Sequence, residues 1–256
     1  MAAIVLYTSF DKDDDSENDS NSITQTSMTN FNVKYPTIAK MLHLYLTFTK
    51  RRNNLHCRIK NTVQKIFDWK IYTQMNHNDM EQFLIILSDF PFFDSLSEAD
   101  KMALFKRFWM PFSLLERIYD SLNNLDSKKF LDGNFIILQN GSIFELDGLT
   151  KSSNLAEMEK ITLNSWKTLL PLMKKLNPHC IEVMYIFCCI LWNSSYLDIP
   201  LTEEGDEIVR RGRLVIHKEM REFYNYDEIQ WERIYALRHI LVVTEDCIKE
   251  QGKDIA

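Results

Sequence analysis

Two stretches of this chain are too apolar for any helix that keeps one face in water. Between Met102 and Leu122 the residues Leu104, Phe105, Phe108, Trp109, Met110, Phe112, Leu114 and Leu115 leave no polar side in the middle, and Ile181 to Trp192 is apolar apart from Glu182. A helix that is apolar all round must be covered on every side. Amphipathic segments flank both stretches, so the expected architecture is all-α with three layers, a helical sandwich with two core-spanning helices in the middle. Pro111 removes a backbone donor from the first of them and predicts a bend there.

Composition agrees. Six glycines and six prolines in 256 residues are too few for a turn-rich β fold, and 45% hydrophobic side chains suffice for one large core. The formal charge of −6 provides no basic surface on average, which argues against direct nucleic-acid contact. Cys57, Cys180, Cys188, Cys189 and Cys247 make an odd set without a CxxC pair, so neither a zinc module nor a disulfide framework is expected. The scattered histidines supply no partner at ligand spacing, so no metal site and no cofactor are predicted. No HExxH, GxSxG, Walker or dinucleotide-binding glycine pattern occurs, and an enzyme is not expected. The longest apolar run, Val183 to Trp192, is too short for a bilayer, which needs about 20 residues, and no signal peptide is apparent at the start; a membrane is not a predicted partner.

Residues 1–35 read as a flexible acidic leader, because Asp11 to Asn30 carries almost no large apolar group. From Pro36 a helix to about Arg52 buries Ile38, Met41, Leu42, Tyr45 and Phe48, with Lys50-Arg51-Arg52 as its solvated basic end. A short helix is expected through Val63, Ile66, Phe67 and Ile71, and another from Asn78, capped with Glu81 and burying Met80, Phe83, Leu84 and Leu87. Ser97 to Asp100 caps the first apolar helix. Phe135 to Leu138 and Ile143 to Leu146 flank Asn140-Gly141 and predict a hairpin as the one β element. Further helices are expected at 154–176 with Pro171 inside, from an Asn177-Pro178 cap through Trp192, from Thr202 to about Tyr226, and from an Asp227 and Gln230 cap through Ile248. Glu182 is expected either to pair with an arginine of the last helix, Arg233 or Arg238, or to serve the helix start alone.

The series Phe93-x-x-Leu96-x-x-x-Asp100-Lys101-x-x-Leu104-Phe105, with Trp109 four residues on, resembles the signature of nuclear receptor ligand-binding domains. The element order from 36 to 249 is similar to that family as well, most of all to its divergent nematode group, without the zinc-containing DNA-binding half. The resemblance implies a ligand-binding domain over 36–256 that acts in regulation of transcription, in the nucleus by that likeness and otherwise in the cytoplasm. A small hydrophobic ligand is then an expected partner, with Asp79, Phe83, Trp109, Met110, Ser113, Leu114 and Arg117 as pocket positions and Arg117 meeting an acidic head group. Ile86 and Ser88 stand where the family has an aromatic and a basic residue, so the coregulator groove keeps Lys106 but loses its lysine at Ser88. Gln251 to Ala256 is too short and polar for the family's terminal activation helix. Ile240, Leu241, Val242 and Val243 predict a homo- or heterodimer through the last long helix. A ligand-free helical adaptor or dimerisation partner that kept the fold is the other reading.

Overall fold

The computed structural model describes residues 31–55, 62–64, 67–125, 132–149, 156–195, 200–225 and 229–252. The expected acidic leader up to Asn30, the cap at Asp227 and the last four residues lie outside them. The helices are α1 (Pro36–Leu55), α2 (Trp69–Leu87), α3 (Glu98–Asn124), the single turn α4 (Leu146–Leu149), α5 (Glu157–Leu176), α6 (Cys180–Leu191), α7 (Glu203–Phe223) and α8 (Ile229–Gly252). They stack in three layers: α1 and α2 on one side, α3, α6 and α7 in the middle, α5 and α8 on the other.

The two helices without a polar face are the middle layer's α3 and α6. In α6 every residue from Ile181 to Cys188 is buried. Phe83, Phe108 and Phe112 form the aromatic centre, with ring centroids 4.4–5.5 Å apart, and Phe48 of α1 and Phe187 of α6 close it at 5.2 and 4.7 Å. Each such ring removes ~150–250 Å² of surface from water, so the stack contributes heavily to the core. Helix α3 runs on through Pro111 for 27 residues.

The β element is larger than a hairpin. β2 (Phe135–Ile137) and β3 (Ser142–Glu145) are antiparallel, Ile136 opposite Phe144, and β1 (Thr62–Val63) adds a third strand parallel to β3. The turn places only Gly141 at positive φ, 83°, while the Asn140 side chain accepts from the Ser142 backbone N–H at 3.1 Å. It is a three-residue loop closed by glycine, not a two-residue turn. β1 escapes sequence reading because two residues are too short for any periodicity.

Three other boundaries differ from expectation. Helix α2 starts at Trp69, where the Asp68 carboxylate accepts from the Ile71 N–H at 3.1 Å, so Asn78 and Glu81 sit mid-helix and no separate helix spans Val63 to Ile71; Ile66 lies outside the described residues. The buried stripe of α2 is Tyr72, Met75, Asp79, Phe83, Ile86 and Leu87, with Met80 and Leu84 half-buried. Asn177 ends α5 in the left-handed conformation at φ 45°, and His179 caps α6, its ring nitrogen accepting from the Ile181 N–H at 3.3 Å. Tyr35, placed with the leader by composition, packs on α7, where it meets Phe223 edge-on at 5.8 Å.

Carboxylates join helix starts to distant elements. Glu219 of α7 accepts from the N–H groups of Thr37 and Ile38 at 3.0 and 2.9 Å and so supplies the negative charge that the first turn of α1 lacks. Asp100, capped by Ser97, accepts from the N–H and hydroxyl of Thr202 at 3.0 and 2.7 Å, and Thr202 caps α7. Trp192 fills the space over Gly212, where an added Cβ would stand 2.8 Å from its ring.

Both expected roles of Glu182 coexist. It accepts from the His179 N–H at 2.6 Å and from Arg233 at 2.6 and 2.7 Å, and Arg233 also donates to the carbonyls of Leu176 and Asn177 that α5 leaves open. Burial opposes the charge on Glu182, but donors from Arg233, Tyr224 and His179 outweigh it and hold the carboxyl below its ordinary value. A carboxyl so depressed in the folded chain adds stability above its unfolded pKa, and that contribution is lost as pH falls through the folded one. Because Arg233 keeps about a third of its side chain in solvent, Glu182→Gln is expected to cost about 2–3 kcal/mol at neutral pH, less than a fully buried pair. In urea unfolding the gap from wild type should shrink below about pH 4; equal stability at pH 7 would remove the pair from the account.

Candidate functional site

The second half of α3 carries an ionic cluster in the middle of the core. Glu116 and Arg117 are 2% and 1% exposed, and Arg52, from the end of α1, is 1% exposed. Glu116 accepts from Arg52 at 2.7 Å and from Arg117 at 2.7 and 2.8 Å, with the Tyr45 hydroxyl at 3.4 Å. Asp120, one turn on, stands 3.1 Å from Arg117 and 3.5 Å from Arg52. Asp79 of α2 is buried close enough to act electrostatically on both arginines. Burial raises the cost of the Glu116 charge, yet the two guanidiniums prevail and its carboxyl is held low; burial likewise opposes both arginines' charges, and the carboxylates keep them above their ordinary value.

This overturns the expectation for Arg52 and gives Arg117 partners inside the core. Arg52 is no solvated helix end: its guanidinium lies over the Phe48 ring at 5.2 Å and inside the core. Arg117, a pocket position by the family resemblance, is buried with Glu116 and Asp120 beside its guanidinium. The sequence hint was Glu116-Arg117 and Asp120 within an otherwise apolar stretch; Arg52 offered none, because its partner lies 64 positions away.

The other expected pocket positions separate into two groups. Phe83 is fully buried in the aromatic centre and Leu114 in the core, and Trp109 is nearly buried, with Phe105 and Phe112 at 6.1 and 5.6 Å. The Ser113 hydroxyl donates to the Met110 carbonyl at 3.0 Å. Met110 faces the other way, into a cleft of about 660 Å³ between the first half of α3 and the end of α8. Met102, Ala103 and Pro111 of α3, Pro200 of the loop before α7 and Ile248 of α8 give it apolar walls, while Lys106 and Lys249 stand in its lining. Arg107 fixes the two walls: it donates to Glu245 of α8 at 2.8 Å and to the Ser195 carbonyl at 3.2 Å, and Asn193 donates to the same Glu245 oxygen. Lys106 therefore reaches the cleft, whereas Ser88 ends α2 on the surface with its hydroxyl on the Ile85 carbonyl at 2.8 Å and takes no part in it. Sequence reading missed Ile248 and Lys249 as lining, because only the tertiary path of α8 sets them opposite α3.

The middle-layer geometry, the signature residues at its centre and the small sheet beside them define a class. Residues 58–246 match the family described as the ligand-binding domain of nuclear hormone receptor, and the chain belongs to that family. A curated relative, nuclear hormone receptor family member nhr-79 of Caenorhabditis elegans, is 24% identical over 164 residues, 58% of this chain and 34% of the relative. The chain thus spans about a third of that relative's length. Among the described residues no helix is long and apolar enough to cross a membrane.

The cluster yields a stability prediction. Arg117→Met leaves Glu116 with one cation in a dry core and should cost about 3–5 kcal/mol. Adding Glu116→Leu should return most of that loss in denaturant unfolding; a single variant within about 0.5 kcal/mol of wild type would mean the cluster is not structural.

Proposed function

We propose that this chain is a regulatory module of transcription that holds a small hydrophobic ligand in the cleft between α3 and α8 and pairs with another receptor domain through α8. The observation that carries the ligand reading is the position of Met110, a pocket residue expected from the sequence that lines this cleft, while Phe83, Leu114 and Arg117 are buried in the core. About 660 Å³ suits a small molecule, and the walls are largely apolar. Lys106, exposed and without an ion-pair partner among the described residues, provides a polar anchor at one side.

Pairing through α8 draws support from its outer face. Ile240 completes the core, Leu241 and Val243 are half-buried, and Tyr235 and Val242, seven positions apart, remain 64% and 53% exposed. Membership in the nuclear receptor family favours the nucleus as the place of action.

Native mass spectrometry of the purified protein should detect a retained apolar mass that disappears in Met110→Trp, whose indole would occupy the cleft. Retention of the same mass by the variant would put the ligand elsewhere. An empty wild type that still pairs would leave the chain as a ligand-free adaptor.

A further inference from the structure

The chain is acidic overall, yet one flank of α7 and α8 is strongly basic. Arg213, His217 and Arg221 lie on successive turns of α7, and Arg238 approaches from α8; all three arginines act electrostatically on the His217 ring. Arg213 and Arg238 are exposed and pair with no carboxylate of the described residues. His217 is tied to the buried Tyr185 hydroxyl, 3.0 Å from its Nδ1. Its burial, and after that the three arginines, push its pKa down to about 4, so the imidazole is neutral at pH 7 and the patch is a field of guanidiniums alone. Around it on the outer side of α7, Arg210 and Arg211 pair with Glu207 and Lys218 with Glu222, so the net positive charge comes from Arg213 and Arg238, and Leu214 stands 58% exposed among them.

The complementary charge is in the same chain. Asp11, Asp13, Asp14, Asp15, Glu17 and Asp19 occur within nine positions, opposed only by Lys12. The chain enters the described structure at the same helix: Phe31 packs on Tyr35, Tyr35 on Phe223, and the Tyr35 hydroxyl donates to the Glu222 carbonyl at 3.4 Å. From Phe223 back to Arg213 is about 15 Å along the helix, and the twelve positions from Asp19 to Phe31 reach up to about 40 Å. A tether of that length holds the segment at an effective concentration on the order of millimolar, enough to fill a site of weak intrinsic affinity.

We propose that the acidic segment Asp11–Asp19 of this chain docks on its own basic face at Arg213 and Arg238. Since Arg238 lies on the side of α8 that carries Tyr235 and Val242, the docked segment competes with pairing through that helix. This consequence rests on the dimer reading; the docking itself does not.

The test uses the full chain and a fluorescent peptide of residues 10–20. A variant with a neutral leader (D11N, D13N, D14N, D15N, E17Q, D19N) leaves the face open and should bind the peptide at least tenfold tighter than wild type, whose own segment occupies it. Adding R213E and R238E to that variant should weaken binding at least tenfold, with unchanged melting because both arginines are exposed, and rising salt should weaken it as well. In wild type the docked carboxylates should raise the His217 pKa, read by NMR titration, above that of the neutral-leader variant. Equal peptide binding by wild type and neutral-leader chains, or binding indifferent to R213E and R238E, overturns the proposal. Sedimentation separates the remaining cases: a dimer that dissociates on neutralising the leader means that the segment docks on a second copy, which overturns the intramolecular form, whereas a monomer throughout removes the pairing and leaves docking intact.

Discussion

Glu116 is the residue on which the interior depends. Its carboxylate receives both arginines of the core, and those arginines come from different layers, Arg52 from α1 and Arg117 from α3 itself. Moving such charges out of water costs several kcal/mol each, and only close partners on every side offset it. The cluster is therefore poor as a source of net stability but strict about geometry. A sliding of α1 along α3 by one turn would carry Arg52 away from Glu116 and Asp120 and leave its charge buried without a partner.

The same helix segment also fixes the sheet. The Ser121 hydroxyl, one turn past Arg117, donates to the Arg117 carbonyl at 2.6 Å and accepts from the Ile137 N–H at 2.9 Å, so β2 takes its height from α3. With ions on one side and stacked rings on the other, the second half of α3 has no room to give. Its first half does. There the outward residues Met102, Lys106 and Met110 look across a gap at α8 that the Arg107–Glu245 pair bridges. The displacement of the candidate site toward this end follows from how fully the other end is committed.

What the sequence made legible was whatever repeats at helical spacing. The two apolar stretches implied three layers because nothing else covers a helix on all sides, and the caps at Ser97 and Thr202 were readable because they sit next to what they cap. Arg52 was misread for the opposite reason. A basic residue at a helix end looks solvated until a carboxylate from far along the chain is placed beside it, and no local pattern carries that information. Arg117 entered as a pocket position through the family resemblance alone, and the neighbouring Glu116 was the clue that it has an internal partner. β1 was illegible because two residues have no period, and Ile248 and Lys249 because a cleft belongs to two helices at once.

Glu219, Asp100 and Glu182 show how a middle layer this apolar is held in register. Dispersion contacts are strong but tolerate small shifts, since one ring packs on another at many offsets. A carboxylate that accepts from a helix start or its cap tolerates far less, because the donors sit in fixed positions and the charge is costly if they move. Each of these three joins a first turn to an element more than forty positions away: α7 to α1, α3 to the start of α7, and α6 to α8 through Arg233. Placing the directional bonds at helix ends leaves the helix flanks free of such obligations. The cleft beside α3 and the arginine face of α7 and α8 both lie on flanks, where surface residues can serve partners without loosening what aligns the layers.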